Sequence, residues 1–238
     1  MKYVVHKANE RGVAEFGWLH SRHSFSFGEY YNPDKMGFGL LRVLNDDIIE
    51  AGEGFGTHPH NNMEIISIPL EGSLEHKDSM GTGSVITPGE VQVMSAGTGI
   101  THSEFNPSKV EDGKFLQLWI IPKQRSIKPR YDQRKFDLDG LKNEIKTLVT
   151  GNKSDSTLYI HQNAAVSMGR LDKGNQLVYK NLYKGNGIYL FVLDGSINFE
   201  NVELEKRDAV GVYDTDEYTF SASSDANFII VEVPMGLN

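Results

Sequence analysis

Hydrophobic residues along this chain occur in short runs that are rich in β-branched and aromatic side chains and are interrupted by Gly, Asn or Asp. Runs of this kind predict β-strands joined by tight turns. The predicted strands cover residues 40–44, 64–69, 91–94, 115–121, 188–193 and 228–233. Helical periodicity is scarce, and residues 138–148 are the one short helical candidate. The pattern therefore predicts an all-β protein, a sandwich or barrel with few short helices.

Two tetrapeptides, LEGS at 70–73 and LDGS at 193–196, form a weak internal repeat. Each follows a predicted strand, and each is trailed by a second turn with an acidic residue, at 88–91 and at 206–210. In both halves we expect the glycine turn to join two antiparallel strands and the acidic turn to start the next pair. The repeat favours duplication of one sandwich, with chance similarity of short turns as the alternative.

Residues 122–136, PKQRSIKPRYDQRKF, contain prolines and several cations and predict the boundary between the two halves. We interpret this segment as a solvated linker rather than a binding patch. The predicted domains are residues 1–130 and residues 131–238.

The composition narrows the functional classes. The 238 residues carry a net charge of −8, which disfavours direct binding to nucleic acid phosphates. No cysteine is present, so disulfides, thiolate nucleophiles and cysteine-rich zinc sites are excluded. No apolar run has the length of a signal peptide or a membrane span. We expect a cytoplasmic protein with no membrane partner and no direct nucleic-acid partner.

Two histidine-containing stretches carry the candidate chemistry. In GFGTHPHNNME, residues 54–64, His58 and His60 are two positions apart, so on an extended strand both imidazoles leave the same face. Pro59 between them cannot donate to a sheet ladder, which favours a strand edge, a bulge or a strand end. In SAGTGITHSEFN, residues 95–106, His102 and Glu104 repeat the same spacing.

On facing strands these two pairs would converge on one ion with three imidazoles and one carboxylate. This donor set suits Fe, Mn, Co, Ni, Cu or Zn rather than Ca or Mg. A single His-x-His is a weak signal, because many such pairs are surface or core residues. Two pairs in a predicted sandwich are a stronger one. Spacing leaves the carboxylate open, because Glu64 lies four positions after His60 with the parity of the same face.

These stretches also resemble a known family. Residues 54–64 resemble the first cupin motif, and residues 89–106 resemble the second. Further segments are similar to signatures of the pirin family, which includes the bacterial pirin-like quercetinases: HSFSF at 23–27, YY at 30–31, GTHPH at 56–60, EHKDS at 75–79 and MSAGTGI at 94–100. The resemblance is dense over roughly residues 1–135 and mainly architectural beyond them.

The pirin resemblance implies a bicupin, with two β-sandwich or jelly-roll barrels. It implies that the N-terminal cupin, residues 1–130, holds one divalent transition metal, with iron favoured, through His58, His60, His102 and Glu104. The resemblance favours Glu104 as the carboxylate ligand, because Glu104 lies two positions after the third histidine, where the pirin motif has its carboxylate. Glu64 then becomes a neighbouring or structural carboxylate.

The other histidines receive weaker predictions. The C-terminal half has one histidine, His161, so residues 131–238 are expected to form a degenerate cupin that lacks a metal site. His76 is expected either to contact the metal ligands from behind or line the pocket, or to be an ordinary hydrogen-bonded turn residue. His23 is expected to have a structural role.

The resemblance implies a metal-dependent dioxygenase of the quercetin 2,3-dioxygenase type. Such an enzyme cleaves flavonols such as quercetin with O2 and releases carbon monoxide, and Glu104 is the candidate base for the proton of the 3-hydroxyl group. The alternative is a metal-binding, pirin-like regulator that acts through contacts with a protein partner. A spacious apolar pocket favours the enzyme, and a closed site beside an exposed apolar patch favours the regulator.

Overall fold

The computed structural model describes residues 1–236, which form 22 β-strands and one short 3-10 helix, Ala8–Glu10. The strands are β1 (Lys2–His6), β2 (Gly12–Glu15), β3 (Leu19–His23), β4 (Leu41–Ile49), β5 (Gly54–His60), β6 (Glu64–Glu71), β7 (Leu74–Asp78), β8 (Gly83–Ile86), β9 (Glu90–Ser95), β10 (Ile100–Phe105), β11 (Gly113–Ile120), β12 (Arg130–Lys135), β13 (Glu144–Thr150), β14 (Leu158–Tyr159), β15 (Ala165–Leu171), β16 (Gln176–Lys180), β17 (Gly187–Asp194), β18 (Ile197–Phe199), β19 (Val202–Leu204), β20 (Ala209–Tyr213), β21 (Glu217–Ala222) and β22 (Ala226–Val233). Every predicted strand overlaps one of these, so the all-β prediction is confirmed. No helix within residues 1–236 is long and apolar enough to cross a membrane.

The strands form two large sheets and two small sheets. One large and one small sheet make up the first lobe, and the other two sheets make up the second lobe. The first lobe has a seven-stranded sheet of order β12-β9-β6-β11-β4-β3-β2 and a four-stranded sheet of order β5-β10-β7-β8. The second lobe has a seven-stranded sheet of order β1-β20-β17-β22-β15-β13-β14 and a four-stranded sheet of order β16-β21-β18-β19. The two lobes therefore share one strand order, which supports duplication of a single sandwich.

The glycine turns of the repeat occupy equivalent places but do not form hairpins. Gly72 and Gly195 have positive φ angles of 70° and 76°, and each approaches the carbonyl oxygen of an aspartate, Asp112 or Asp225. β6 pairs with β9 and β11, whereas β7 pairs with β8 and β10 in the small sheet. The expectation of paired strands is wrong, because each glycine turn carries the chain from one face of the sandwich to the other.

The boundary between the lobes does not coincide with a single division of the chain at residue 130. β12 pairs with β9 and completes one edge of the first large sheet. β1 pairs with β20 and occupies the matching edge of the second large sheet. The lobes thus consist of β2–β12 and of β1 with β13–β22, because each large sheet takes its edge strand from outside its own repeat.

The helical candidate at residues 138–148 is wrong. Residues 139–143 form a turn and a bend that end with Asn143 at a positive φ of 53°, and β13 starts at Glu144. Residues 144–150 pair with β15. Pairing within the second large sheet outweighs the weak helical pattern of this segment.

The two large sheets pack against each other through their outer faces. Their largest apolar cluster joins Ile66 and Leu118 of the first lobe to Tyr189 and Val231 of the second. A separate cluster fills the interior of the second lobe between its large and small sheets. The hydrophobic core is therefore concentrated between the lobes and inside the second lobe.

The paired glycines offer a matched test of the repeat. A Cβ atom at Gly195 would collide with the Asp225 carbonyl oxygen and lie 2.8 Å from the Cα of Ala226, whereas at Gly72 the nearest atom is the Asp112 carbonyl oxygen at 2.9 Å. Both substitutions to alanine meet the left-handed penalty of roughly 1–2 kcal/mol. We expect Gly195→Ala to lower the free energy of unfolding by about a further 1–3 kcal/mol, because the second lobe is already packed there. Urea unfolding of both variants measures this, and equal losses would contradict it.

Candidate metal centre

Strands β5 and β10 bring three histidines together on the inner face of the small sheet. The strands pair antiparallel with His58 opposite His102, and a bulge follows between His102 and Glu104. The ring centroids of His58, His60 and His102 lie 4.5–4.8 Å apart. One nitrogen from each ring belongs to a set whose members all lie within 4.8 Å of one another. We call these three residues the histidine triad.

The hydrogen bonds of the triad leave nitrogen atoms available for a ligand. Nδ1 of His58 donates to the carbonyl oxygen of Gly56 at 2.7 Å, so Nε2 carries the lone pair. Nε2 of His60 and Nε2 of His102 are buried and have no hydrogen-bond partner among residues 1–236. A buried nitrogen without a partner is costly, so the triad fits a metal ion that would accept three nitrogen lone pairs.

Burial also sets the protonation state of the triad. Desolvation, reinforced by the neighbouring imidazoles, lowers the pKa of His102 to about 3 and that of His60 to about 4. Both rings are therefore neutral near pH 7, and a metal ion does not have to displace a proton from either. Neutral imidazoles suit first-row transition metals rather than Ca or Mg.

Glu104 lies beside the triad and is held from the opposite sheet. Its side chain is buried, with 1% of the residue exposed. Oε1 accepts a hydrogen bond from Ser67 at 3.0 Å, and Oε2 accepts one from Nε2 of Gln117 at 2.7 Å. Glu104 belongs to a second set of close donor atoms, with His102 and His76, rather than to the triad itself. Ser67 and Gln117 thus hold the carboxyl group of Glu104 next to His102.

Ser67 and Gln117 belong to a row of buried polar side chains that crosses the first large sheet. The strand register aligns one such residue on each of five adjacent strands. This polar row consists of His23, Asn45, Gln117, Ser67 and Gln92. In the second lobe the aligned residues are Thr147, Ser167, Ile230, Leu190 and Val210. The same face is polar where it meets Glu104 and mostly apolar where it meets the second small sheet.

Glu64 faces away from the triad. It accepts a hydrogen bond from Ser95 at 2.7 Å, and its other oxygen lies 3.7 Å from Nδ1 of His161 in the second lobe. The expected same-face parity is wrong, because β5 ends at His60 and the positive φ of Asn62, 48°, interrupts the alternation before β6 begins. Burial raises the pKa of Glu64 to about 7.

His76 lies behind the triad rather than in an exposed turn. Its ring is fully buried in β7, and Nε2 donates to the buried carboxylate of Asp78 at 3.1 Å. Nδ1 is then an acceptor and lies 3.4 Å from Nδ1 of His102. A proton on Nδ1 of His102 satisfies this contact and leaves Nε2 of His102 unprotonated. The Asp78–His76 pair therefore orients His102 and fixes its tautomer.

A cavity of about 480 Å³ opens beside the triad. His58, His60 and Glu104 form part of its lining, and aromatic side chains that include Phe27 and Trp119 form much of the rest. Pockets of this size and character are typical of small-molecule sites.

Comparison with known proteins identifies the relatives of this chain. The Pirin family model matches residues 5–120, and the model of the quercetinase C-terminal cupin domain matches residues 147–233. The chain is 42% identical over 230 residues to the quercetin 2,3-dioxygenase of Escherichia coli (strain K12), which covers 97% of this chain and 98% of the relative. The chain belongs to the pirin family. The resemblance inferred from the sequence motifs is therefore confirmed.

Solved structures place this pirin among bicupins. The bacterial pirin YhhW from Escherichia coli in complex with nickel(II) is 40% identical, with a TM-score of 0.91 and coverage of 98% of this chain and 99% of that one. A quercetin 2,3-dioxygenase from Acinetobacter baumannii has a TM-score of 0.77 at 22% identity, with coverage of 97% and 85%, and so shares the fold.

Sequence reasoning missed the residues that hold Glu104. Ser67 and Gln117 lie in the middle of apolar strands, EIISIPLE and GKFLQLWI. A polar residue at an inward position of such a strand is a usable signal, but it does not name a partner on another strand. The pirin motifs indicate the two candidate ligand pairs, but Ser67 and Gln117 lie outside these motifs.

We expect His102→Ala to abolish tight metal uptake while the fold persists, because the core between the lobes does not include the triad. Elemental analysis after metal loading, together with circular dichroism, measures the two effects. His161→Ala is the matched control and is expected to retain the metal. Loss of the whole fold in His102→Ala would contradict this division between metal site and core.

We expect His76→Ala to weaken metal binding by about 10–100-fold, because His102 loses the neighbour that fixes its tautomer. Competition with a chelator measures the affinity, and stoichiometry at saturating metal should stay unchanged. His20→Ala, an exposed histidine paired with Glu15 on another strand, is the control. An unchanged affinity in His76→Ala would mean that the Asp78–His76 pair has no role in metal binding.

Proposed function

We propose that this pirin is a metal-dependent dioxygenase that cleaves flavonols such as quercetin with O2. In this proposal His58, His60, His102 and Glu104 hold one divalent transition metal, and Glu104 also acts as the base. The observation that carries the proposal is the aromatic-walled cavity of about 480 Å³ that adjoins the triad. The 42% identity to a quercetin 2,3-dioxygenase supports the same activity.

The cavity wall suits a flat aromatic substrate. Phe27 packs edge-on against Trp119 with ring centroids 5.2 Å apart, and Trp119 packs edge-on against His60 at 4.9 Å. Aromatic rings in such contacts exclude water and present faces and edges to another ring. A flavonol lying along this wall would have its 3-hydroxyl group next to the triad and Glu104.

Glu104 can accept the proton of the 3-hydroxyl group. The donors Ser67 and Gln117 keep the carboxylate in place on the large-sheet side, so that it need not reorganise when the proton moves. The neighbouring rings of His60 and His102 are neutral, because burial lowers their pKa values, and so these two rings do not compete for the proton. A divalent ion bound there would act as a Lewis acid and as a template for the substrate and O2.

Iron is the favoured metal in this proposal. Three imidazoles and one carboxylate also accept Mn, Co, Ni, Cu or Zn. The Escherichia coli relative YhhW has a crystal structure in complex with nickel(II), which supports a divalent transition metal in this chain.

The regulatory alternative called for a closed site beside an exposed apolar patch. The triad instead borders a cavity with room for a small molecule, which favours the enzyme over the regulator. Quercetin is therefore the substrate to test first.

Glu104→Gln separates the two roles of this residue. The amide keeps one oxygen that can coordinate a metal, so metal should be retained, but it cannot take up the substrate proton. We expect turnover of quercetin to fall by about 10²–10⁴-fold. Oxygen uptake, carbon monoxide release and metal content are the measurements.

Glu64→Gln is the matched control and is expected to keep both metal and turnover, because Glu64 faces Ser95 and the second lobe. Near-normal turnover in Glu104→Gln, with Glu64→Gln inactive and poor in metal, would reverse the assignment. Full turnover in both variants would show that neither carboxylate is the base.

A further inference from the structure

Two buried polar side chains of the cavity have ring or amide atoms that nothing in residues 1–236 satisfies. They are His23 on β3 and Asn45 on β4, with 4% and 3% of the residue exposed. Nδ1 of His23 and Oδ1 of Asn45 have no hydrogen-bond partner among the described residues. Both residues line the same cavity as His58, His60 and Glu104. Because unpaired buried polar atoms are disfavoured, two of them in one cavity indicate a ligand.

Their position follows from the polar row. Gln117 donates to Glu104, Asn45 lies opposite Gln117 on the next strand, and His23 lies opposite Asn45 on the strand beyond. Neighbouring strands are about 4.8 Å apart, so Asn45 and His23 lie roughly 5 Å and 10 Å beyond Gln117 along the cavity floor. A ligand of two or three fused or linked rings can therefore reach from Glu104 to both.

The charged side chains that line the cavity favour a neutral ligand group over an anionic one at this end. Its lining includes Glu15, Glu29, Asp47 and Glu104, and no lysine or arginine among residues 1–236. Burial, with Arg11 and Arg22 nearby, lowers the pKa of His23 to about 4, so its ring is neutral. A neutral imidazole and an amide oxygen pair best with a neutral hydroxyl group, which both donates and accepts.

Aromatic side chains surround His23 and could contact a ligand ring that carries the hydroxyl group. His23 packs edge-on against Phe27 with centroids 5.2 Å apart, and Tyr30 lies on its other side at 6.5 Å. Phe27 in turn contacts Trp119 on the wall beside the triad. The aromatic wall is thus continuous from the triad to the polar pair.

We propose that His23 and Asn45 form a hydroxyl-binding subsite that selects neutral polyphenols with a hydroxyl group on a ring distant from the triad. Oδ1 of Asn45 accepts a hydrogen bond from the hydroxyl group, and Nδ1 of His23 forms a hydrogen bond with the same hydroxyl group or with a second one. The orientation of the ligand rests on the proposed function, since its other end is placed at Glu104.

The test compares two flavonols on two proteins. Quercetin carries hydroxyl groups on its distant rings, and 3-hydroxyflavone has only the 3-hydroxyl group. Dissociation constants are measured without oxygen on the metal-loaded wild type and on Asn45→Leu. We expect the wild type to prefer quercetin by about tenfold, from one to two additional hydrogen bonds. In Asn45→Leu that preference should fall to about threefold or less, while 3-hydroxyflavone binding stays unchanged.

Thermal unfolding of the same variant separates a binding role from a structural one. If Asn45 serves the ligand, replacing an unpaired buried amide with leucine should leave the melting temperature unchanged or raise it. A variant that fails to fold, or melts well below the wild type, overturns the subsite, because Asn45 would then be structural. Asn45→Ser, which keeps a hydroxyl group, should recover part of the preference for quercetin.

Carbon monoxide release, measured in parallel, distinguishes this proposal from the proposed function. Hydroxyl-dependent binding without carbon monoxide supports the subsite and contradicts the dioxygenase. Turnover of quercetin with an unchanged preference in Asn45→Leu overturns the subsite and leaves the dioxygenase. Binding of neither flavonol by the wild type overturns both.

Discussion

Packing of the two large sheets against each other is the contact on which the rest of the molecule depends. It forms the largest apolar cluster and lies outside both sandwiches, with Leu118 from one lobe and Val231 from the other. Because this contact stabilises the first large sheet from behind, the interior of the first lobe need not be a hydrophobic core. Its apolar side chains form two small clusters, around Phe115 and around Met94, and the polar row lies between them. The candidate metal centre and the polar row occupy space that a single sandwich would need for its own hydrophobic core.

The second lobe shows what the same face looks like without a site. Ile230, Leu190 and Val210 take the places of Gln117, Ser67 and Gln92, and they join a continuous apolar cluster. In the first lobe, Glu104 and the small sheet provide hydrogen-bond partners for Ser67, Gln117 and Gln92, whereas His23 and Asn45 keep atoms without a partner among residues 1–236. The same face therefore serves packing in the second lobe and supports the candidate site in the first, at a cost in stability typical of functional sites.

The parts of the molecule that depend on local pattern could be predicted from the sequence, and the parts that depend on register could not. Strands such as β6 and β17 follow from apolar runs, and the shared face of His58 and His60 follows from their i, i+2 spacing, whereas the register that sets His102 opposite His58 does not. The prediction that Glu64 shares a face with His60 is wrong, because the positive φ of Asn62 interrupts the alternation of side chains between them. The polar row could not be predicted for a different reason. Each member lies on a separate strand, so only the pairing of five strands reveals that they are neighbours.

The edge strand β1 matters for how the chain is made. Lys2 pairs with Tyr213, so β1 has no partner until β20 has been synthesised. At about 5–20 residues per second, that interval is roughly 10–40 s. β12, by contrast, pairs with β9 in the same lobe, so the first lobe has all its strands once residue 135 has emerged. The strands that carry the candidate site are therefore all synthesised before the second large sheet, against which their own large sheet packs.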